Sequence, residues 1–188
     1  MRVIAGTCKG RKLLAVPGNS TRPTSDKVRE AIFNMIGPFF SGGTVLDVYA
    51  GTGALVIEPL SRGFDKAIAI DIEPKSIRVI KQNLELCGLL DRCQIYRNDA
   101  RKAIRSLAHS SEPFDLVFLD PPYRYDTIPE CMELLQEHQL LYDGAILVAE
   151  HDANVTLSTQ IGRMFQIKSV HYGDTAVTTY RFEKEEIH

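Results

Sequence analysis

The chain has few cysteines and uses them singly. Cys8, Cys87, Cys93 and Cys131 form no Cys-x-x-Cys pair and have no histidine cluster nearby. That argues against a zinc site and against a disulfide framework, so no metal is expected. Nor is there an apolar run approaching the ~20 residues that cross a bilayer. The opening Met1-Arg2-Val3-Ile4-Ala5-Gly6 lacks the apolar core and cleavage site of a signal peptide. A cytoplasmic protein without membrane contact is the expectation. Internal repeats and low-complexity stretches are missing as well, so the 188 residues are about one domain, long enough to bury its own core.

Net charge is only −2, which at first disfavours a polyanionic partner, but the charge is unevenly spread. Residues 1–40 hold seven Lys/Arg (Arg2, Lys9, Arg11, Lys12, Arg22, Lys27, Arg29) against Asp26 and Glu30. The remaining 148 residues carry 15 basic and 22 acidic side chains. A basic arm on an acidic body fits an arm that meets nucleic acid, and equally a solvated charged surface.

Periodicity divides the chain near residue 40. Residues 1–16 alternate loosely around Gly10, as a hairpin would. Pro17 to Pro23 is a loop by composition. Thr24 or Ser25 then caps a helix with Val28, Ile32, Met35 and Ile36 on one face, ended by Gly37-Pro38. These elements form an N-terminal extension over 1–40, and a body over 41–188 follows. Within the body, strands are predicted at Val45–Ala50, Lys66–Asp71, Gln94–Arg97, Phe114–Asp120 and Ala145–Glu150. Helices are predicted at Ala54–Ser61, from Pro74 to Cys87, at Arg101–Leu107 and at Thr127–Glu137. Phe165–Val170 and Ala176–Phe182 flank Tyr172-Gly173-Asp174 as a closing hairpin. Strand–helix alternation of this kind builds an α/β fold with a mostly parallel sheet covered on both faces.

Two segments carry chemistry. In the first, Asp47-Val48-Tyr49-Ala50-Gly51-Thr52-Gly53, a strand runs into a glycine turn that opens a helix, where ligands of open α/β sheets approach backbone closely. Asp71 ends the next strand, placed to hold a ribose diol, and Asp99 follows the third, placed to accept from an adenine amino group. A dinucleotide fingerprint wants a further glycine where Val56 stands. Asp47 would also repel a pyrophosphate but welcome a cationic sulfonium. Asp47, Tyr49, Ala50, Gly51, Gly53, Asp71 and Asp99, with Asp120 at the end of a later strand, are therefore candidate residues for S-adenosylmethionine, with S-adenosylhomocysteine as product. The bland alternative is that Asp71 and Asp99 cap the helices that follow them.

The second segment is Asp120-Pro121-Pro122-Tyr123, an unusual exit from a buried strand. The prolines cannot donate hydrogen bonds and fix φ, so a stiff turn aims a carboxylate, bare carbonyls and an aromatic face at one point. Such a site suits a flat molecule bearing an amino group, and nitrogen methyltransferases carry this tetrapeptide. Asp120 and the Pro121 carbonyl would accept the two N–H bonds of the amine. Tyr123 would stack on that flat group, and Pro122 would stiffen the turn. Asp120 or water would take the proton. If the flat group is a nucleobase, it has to be unpaired or flipped to reach the pocket.

These residues resemble a known family. Met1 to Gly6, Gly10-Arg11-Lys12-Leu13, Arg22-Pro23-Thr24, Arg29 to Asn34, the Leu46 to Leu55 turn, Ser61-Arg62-Gly63 and Asp120 to Tyr123 appear in the order found in RsmD, the bacterial 16S rRNA guanine-N2 methyltransferases. The resemblance spans essentially the whole chain. It implies a class I S-adenosylmethionine-dependent methyltransferase, Rossmann-like with a seven-stranded sheet. It further implies 16S rRNA in the small ribosomal subunit, or an assembly intermediate, as partner, and a monomeric enzyme. Lys9, Arg11, Lys12, Arg22 and Arg29 would meet RNA phosphate, although Arg22 and Asn34 could instead border the cofactor. Val56 and Pro59 depart from the family pattern inside the first helix of the body. Phe64 departs just after that helix, and Asp71 stands in place of the usual Glu. The nearest rival is an adenine-N6 methyltransferase. A glutamine methyltransferase, a nicotinamide oxidoreductase and a protein that only binds cofactor fit less well.

Overall fold

A computed structural model describes residues 1–18, 24–122 and 127–187. Two expectations, for Arg22 and Tyr123, fall outside the described residues. Among the described residues, eight strands form one sheet: β1 (Thr44–Asp47), β2 (Lys66–Asp71), β3 (Cys93–Arg97), β4 (Phe114–Leu119), β5 (Leu141–Asp152), β6 (Gln160–Ile161), β7 (Met164–Tyr172) and β8 (Thr175–Phe182). Their order is β3-β2-β1-β4-β5-β8-β7-β6. The first five in that order run parallel, and the rest pair antiparallel. The expected seven strands are present, and the eighth is the two-residue edge piece β6.

Among the described residues, five α-helices accompany the sheet: α1 (Asp26–Ile36), α2 (Ala54–Ser61), α3 (Pro74–Leu86), α4 (Ala100–Leu107) and α5 (Thr127–Glu137), with a 3-10 turn at Leu90–Arg92. Apolar faces of α4 and α5 (Ile104, Ile128, Leu135) bury against one side of the sheet. On the other side α1, α2 and α3 supply Phe33, Ile57 and Ile80. Val3, Cys8 and Leu13 from the N-terminal arm join that second layer. With both faces covered, the parallel strands are near-continuous apolar runs, as in Phe114–Leu119.

Local choices follow from the residues. Ser25 caps α1, its hydroxyl accepting from Val28 N at 3.2 Å. The helix buries Val28, Arg29, Ile32 and Phe33, with Met35 and Ile36 half-buried against the same core, so its inward face is the expected one widened to take in Arg29 and Phe33. Pro59 occupies the sixth position of α2, past the first turn, and cannot donate to the Leu55 carbonyl. The helix ends two residues later, so the loss falls near its terminus.

The expected N-terminal hairpin is present but short: one antiparallel bridge joins Arg2 and Lys12, with Val3 N donating to the Arg11 carbonyl, Gly10 N to that of Val3 and Leu13 N to that of Met1. The reason lies in where its N–H groups go. Those of Ile4 and Ala5 donate to the Glu58 carboxylate at 3.0–3.2 Å. Thr7 N donates to the Ser61 carbonyl, and Cys8 N to the Ser61 hydroxyl. Gly6 touches α2 so closely that a Cβ would stand 1.8 Å from the Ser61 carbonyl oxygen, and its φ of +85° also favours glycine. The arm is therefore docked on α2.

Candidate active site

β1 is the strand where the order reverses: β2 and β3 lie to one side of it, β4 and β5 to the other. Ligands of open α/β sheets bind at the carboxyl ends of strands at such a switch point. A cavity of about 910 Å³ opens there. It lies near the upper end of the ~300–1,000 Å³ typical of small-molecule sites, with room for a nucleoside-sized ligand beside a base.

Tyr49, Ala50 and Gly51, after β1, line the cavity with Asp71, Asp99, Asp120, Pro121 and Pro122. The two motifs, more than 60 residues apart in sequence, thus share one space because β1 and β4 are adjacent. Asp71 accepts from Gly51 N at 2.8 Å and from Glu73 N at 2.9 Å, holding both sides of the crevice. A Cβ added at Gly51 would meet nothing within 4 Å, so bare backbone leaves open room there. Asp99 caps α4, accepting from Arg101 N and Lys102 N, and lines the cavity as well. Its capping and its cavity position coexist.

Three expectations need correction. Asp47 does not reach the cavity: it is fully buried and turns back to accept from Tyr49 N at 3.0 Å. Its other oxygen has no hydrogen-bond partner among the described residues. Burial above all, then Asp71 and Glu150, pushes its carboxyl up to about 7. Gly53 also stays off the cavity wall; with φ +84° it is the left-handed residue that starts α2, against Ile80. Arg29 cannot meet RNA, being fully buried. It donates to the Arg2 carbonyl at 2.7 Å and pairs with Asp26 at 2.5 Å and Glu58 at 3.4 Å.

Lys9, Arg11 and Lys12 are exposed on the arm. Asn34 is also exposed, on α1, and does not line the cavity. Asn83, buried on α3, grips the Leu14 backbone with both ends of its amide, at 2.8 and 3.0 Å. The same amide donates to the Thr52 carbonyl at 2.8 Å, so arm and glycine turn are tied together.

The family described as conserved hypothetical protein 95 matches residues 1–181. The chain belongs to that family. "Putative rRNA methyltransferase YlbH" of Bacillus subtilis is 46% identical over 181 residues, which is 96% of this chain and 98% of that one. "Ribosomal RNA small subunit methyltransferase D" of Escherichia coli K12 is 33% identical over 159 residues, 85% of this chain and 78% of that one. A solved structure titled "Putative methyltransferase yhhF from Escherichia coli" is 30% identical, with a TM-score of 0.86 over 98% of this chain and 99% of that chain. The resemblance to RsmD read from the motifs is therefore borne out, and the fold is that of a class I methyltransferase.

Other residues of this cavity escaped sequence reasoning. Glu150, on β5, lines it beside the tetrapeptide. Thr24 also lines it, its hydroxyl 2.7 Å from Glu150 Oε2 and 3.5 Å from Asp120 Oδ2. Burial, with Glu150 and Asp47 nearby, raises the Asp120 carboxyl well above the ordinary range. Glu150 is raised by burial and drawn back by the Thr24 hydroxyl. His151 lines the wall with its Nδ1 on the Asp152 carbonyl at 3.0 Å. That contact makes Nδ1 the protonated nitrogen, and Nε2 then accepts from Thr178 at 2.8 Å. A signal for Glu150 was present, since its predicted strand ends in an acid as those ending at Asp71 and Asp120 do.

Proposed function

We propose that the protein transfers a methyl group from S-adenosylmethionine to the exocyclic N2 of a guanine in 16S rRNA, in the small ribosomal subunit or an assembly intermediate. The observation that carries this is the shared cavity, with the Gly51 turn and Asp71 on one side and Asp120-Pro121-Pro122 on the other. The names of the 46% and 33% identical relatives support the rRNA class. Guanine-N2 rests on the RsmD resemblance together with the tetrapeptide. Among the described residues no cluster of side chains could hold a metal ion, and no helix is long and apolar enough to cross a membrane.

The residues fit the cofactor. Gly51 leaves backbone bare, Asp71 offers lone pairs to a ribose diol, and Asp99 stands near for an adenine amine. S-adenosylmethionine supplies an electrophilic methyl on a cationic sulfonium. Buried Asp47 holds the turn from beneath, accepting from Tyr49 N, without touching the ligand. The amine of guanine is a poor nucleophile because its lone pair delocalises into the ring. Asp120 and the Pro121 carbonyl would accept its two N–H bonds and favour a pyramidal nitrogen. Asp120 does not need to be charged for this, since a neutral acid still presents a carbonyl oxygen. Positioning and electrostatic alignment then supply most of the acceleration, and the proton that the methylated amine loses goes to Asp120 where it is ionised, or to water. Lys9, Arg11 and Lys12 would hold RNA phosphate.

The test uses radiolabelled S-adenosylmethionine and small subunits from a strain lacking this gene, with the RNA then digested to nucleosides. Label in N2-methylguanosine is expected. Label in N6-methyladenosine would shift the reading to the adenine-N6 rival, and no label would reject both.

A further inference from the structure

Glu150 lies outside the tetrapeptide, yet it faces the same cavity from the next strand. β4 and β5 run parallel with Leu119 opposite Ala149, so Asp120 and Glu150 follow side by side at the carboxyl ends. Thr24 stands between them. A hydroxyl has one proton, and 2.7 Å against 3.5 Å assigns it to Glu150. A donor on a carboxylate oxygen favours the anion, so Glu150 is the better candidate for the charged member of the pair. Its second oxygen has no hydrogen-bond partner among the described residues. A carboxylate on the cavity wall, fixed at one oxygen, keeps the other to accept from a ligand.

Guanine presents such a donor beside the reacting amine, because N1–H and the N2 amino group lie on one edge of the base. Adenine presents a bare N1 lone pair next to its amine, which a carboxylate repels. We propose that Glu150 is the specificity-determining residue of the site, its carboxylate accepting N1–H of guanine while Asp120 holds the neighbouring amine. This rests on the guanine-N2 reading above. The plainer alternative is that Glu150 only anchors Thr24 at the start of α1.

The deciding substrate is 2-aminopurine, which keeps the C2 amine of guanine but carries a bare lone pair at N1. Small subunits would be reconstituted with guanine or 2-aminopurine at the methylated position and labelled by wild-type protein and by Glu150→Gln. S-adenosylhomocysteine affinity is measured as a check on folding. Wild type should methylate guanine roughly 10- to 100-fold more efficiently, the worth of one hydrogen bond to a charged group. Glu150→Gln presents an amide that can donate to a bare N1, so that preference should shrink at least tenfold. Equal use of both bases by wild type would overturn the proposal while leaving guanine-N2 methylation standing. Equal slowing on both bases by Glu150→Gln, as a purely structural residue would produce, would overturn it too. Absence of label on guanine subunits with wild type would remove both readings together. If Glu150→Gln fails to fold, the wild-type ratio alone still decides.

Discussion

Arg29 and Glu58 meet 3.4 Å apart with neither side chain exposed to solvent. Glu58 also accepts from Ile4 N, Ala5 N and Arg62, so one carboxylate joins the arm, α1 and α2. The Arg62 guanidinium lies 4.7 Å over the Phe33 ring, extending the joint into the core. Glu58→Ala would leave Arg29 buried without its interior partner. A loss of about 3–5 kcal/mol is expected in urea unfolding, with the arm released to added protease. A loss below 1 kcal/mol would show that the pair is not the joint.

Exposed cations on the arm should behave differently. Replacing Lys9, Arg11 and Lys12 together by Ala should leave stability within about 0.5 kcal/mol of wild type. Binding to small subunits should weaken, and the slope of log K against log salt should fall by roughly 0.7–0.9 for each phosphate that the variant no longer neutralises. Arg29→Ala should instead cost stability. The assignment fails if the triple variant binds particles with an unchanged salt slope.

Buried Asp47 makes stability depend on pH. Its folded pKa is about 7 against an ordinary value of 3.8. Between those values the folded protein holds a proton that the unfolded chain has released. Stability therefore falls as pH rises through that window, by at most ~4 kcal/mol from this residue. Asp120 and Glu150, also raised, act in the same direction. His151, whose pKa is lowered by burial, acts oppositely below its ordinary value. Asp47→Asn keeps an acceptor for Tyr49 N and should flatten the slope between pH 5 and 8. Urea midpoints at the two pH values measure this, and an undiminished slope would clear Asp47.

Asp120 separates charge from hydrogen bonding. Asp120→Ala should cut turnover on small subunits roughly 100-fold or more, with S-adenosylhomocysteine affinity within a few-fold of wild type. Asp120→Asn should retain far more activity, because its amide oxygen can replace a neutral acid. Near-normal turnover by the alanine variant would remove Asp120 from the chemistry.

Much of this protein is legible from sequence by itself. Alternating apolar runs and glycine punctuation determined the five helices, the parallel strands and the closing hairpin β7–β8, because period and turn chemistry are local. The strand-end residues Gly51, Asp71, Asp99 and Asp120 were legible too, because the carboxyl ends of parallel strands collect at one rim of the sheet. Only the tertiary structure decided which of these groups touch that rim. Asp47 and Gly53 share its motif but point into the packing, a matter of one or two residues of twist that no pattern specifies. Arg29 reads as a surface cation until Glu58, 29 residues on, is folded against it. Asn83 likewise reads as a polar helix residue until the backbone of Leu14 arrives. The pairing of Glu150 with Asp120 through Thr24 spans 126 residues. It depends on the placement of β5 beside β4 and of α1 over that edge, and pairings of such separation exist only once the sheet has formed.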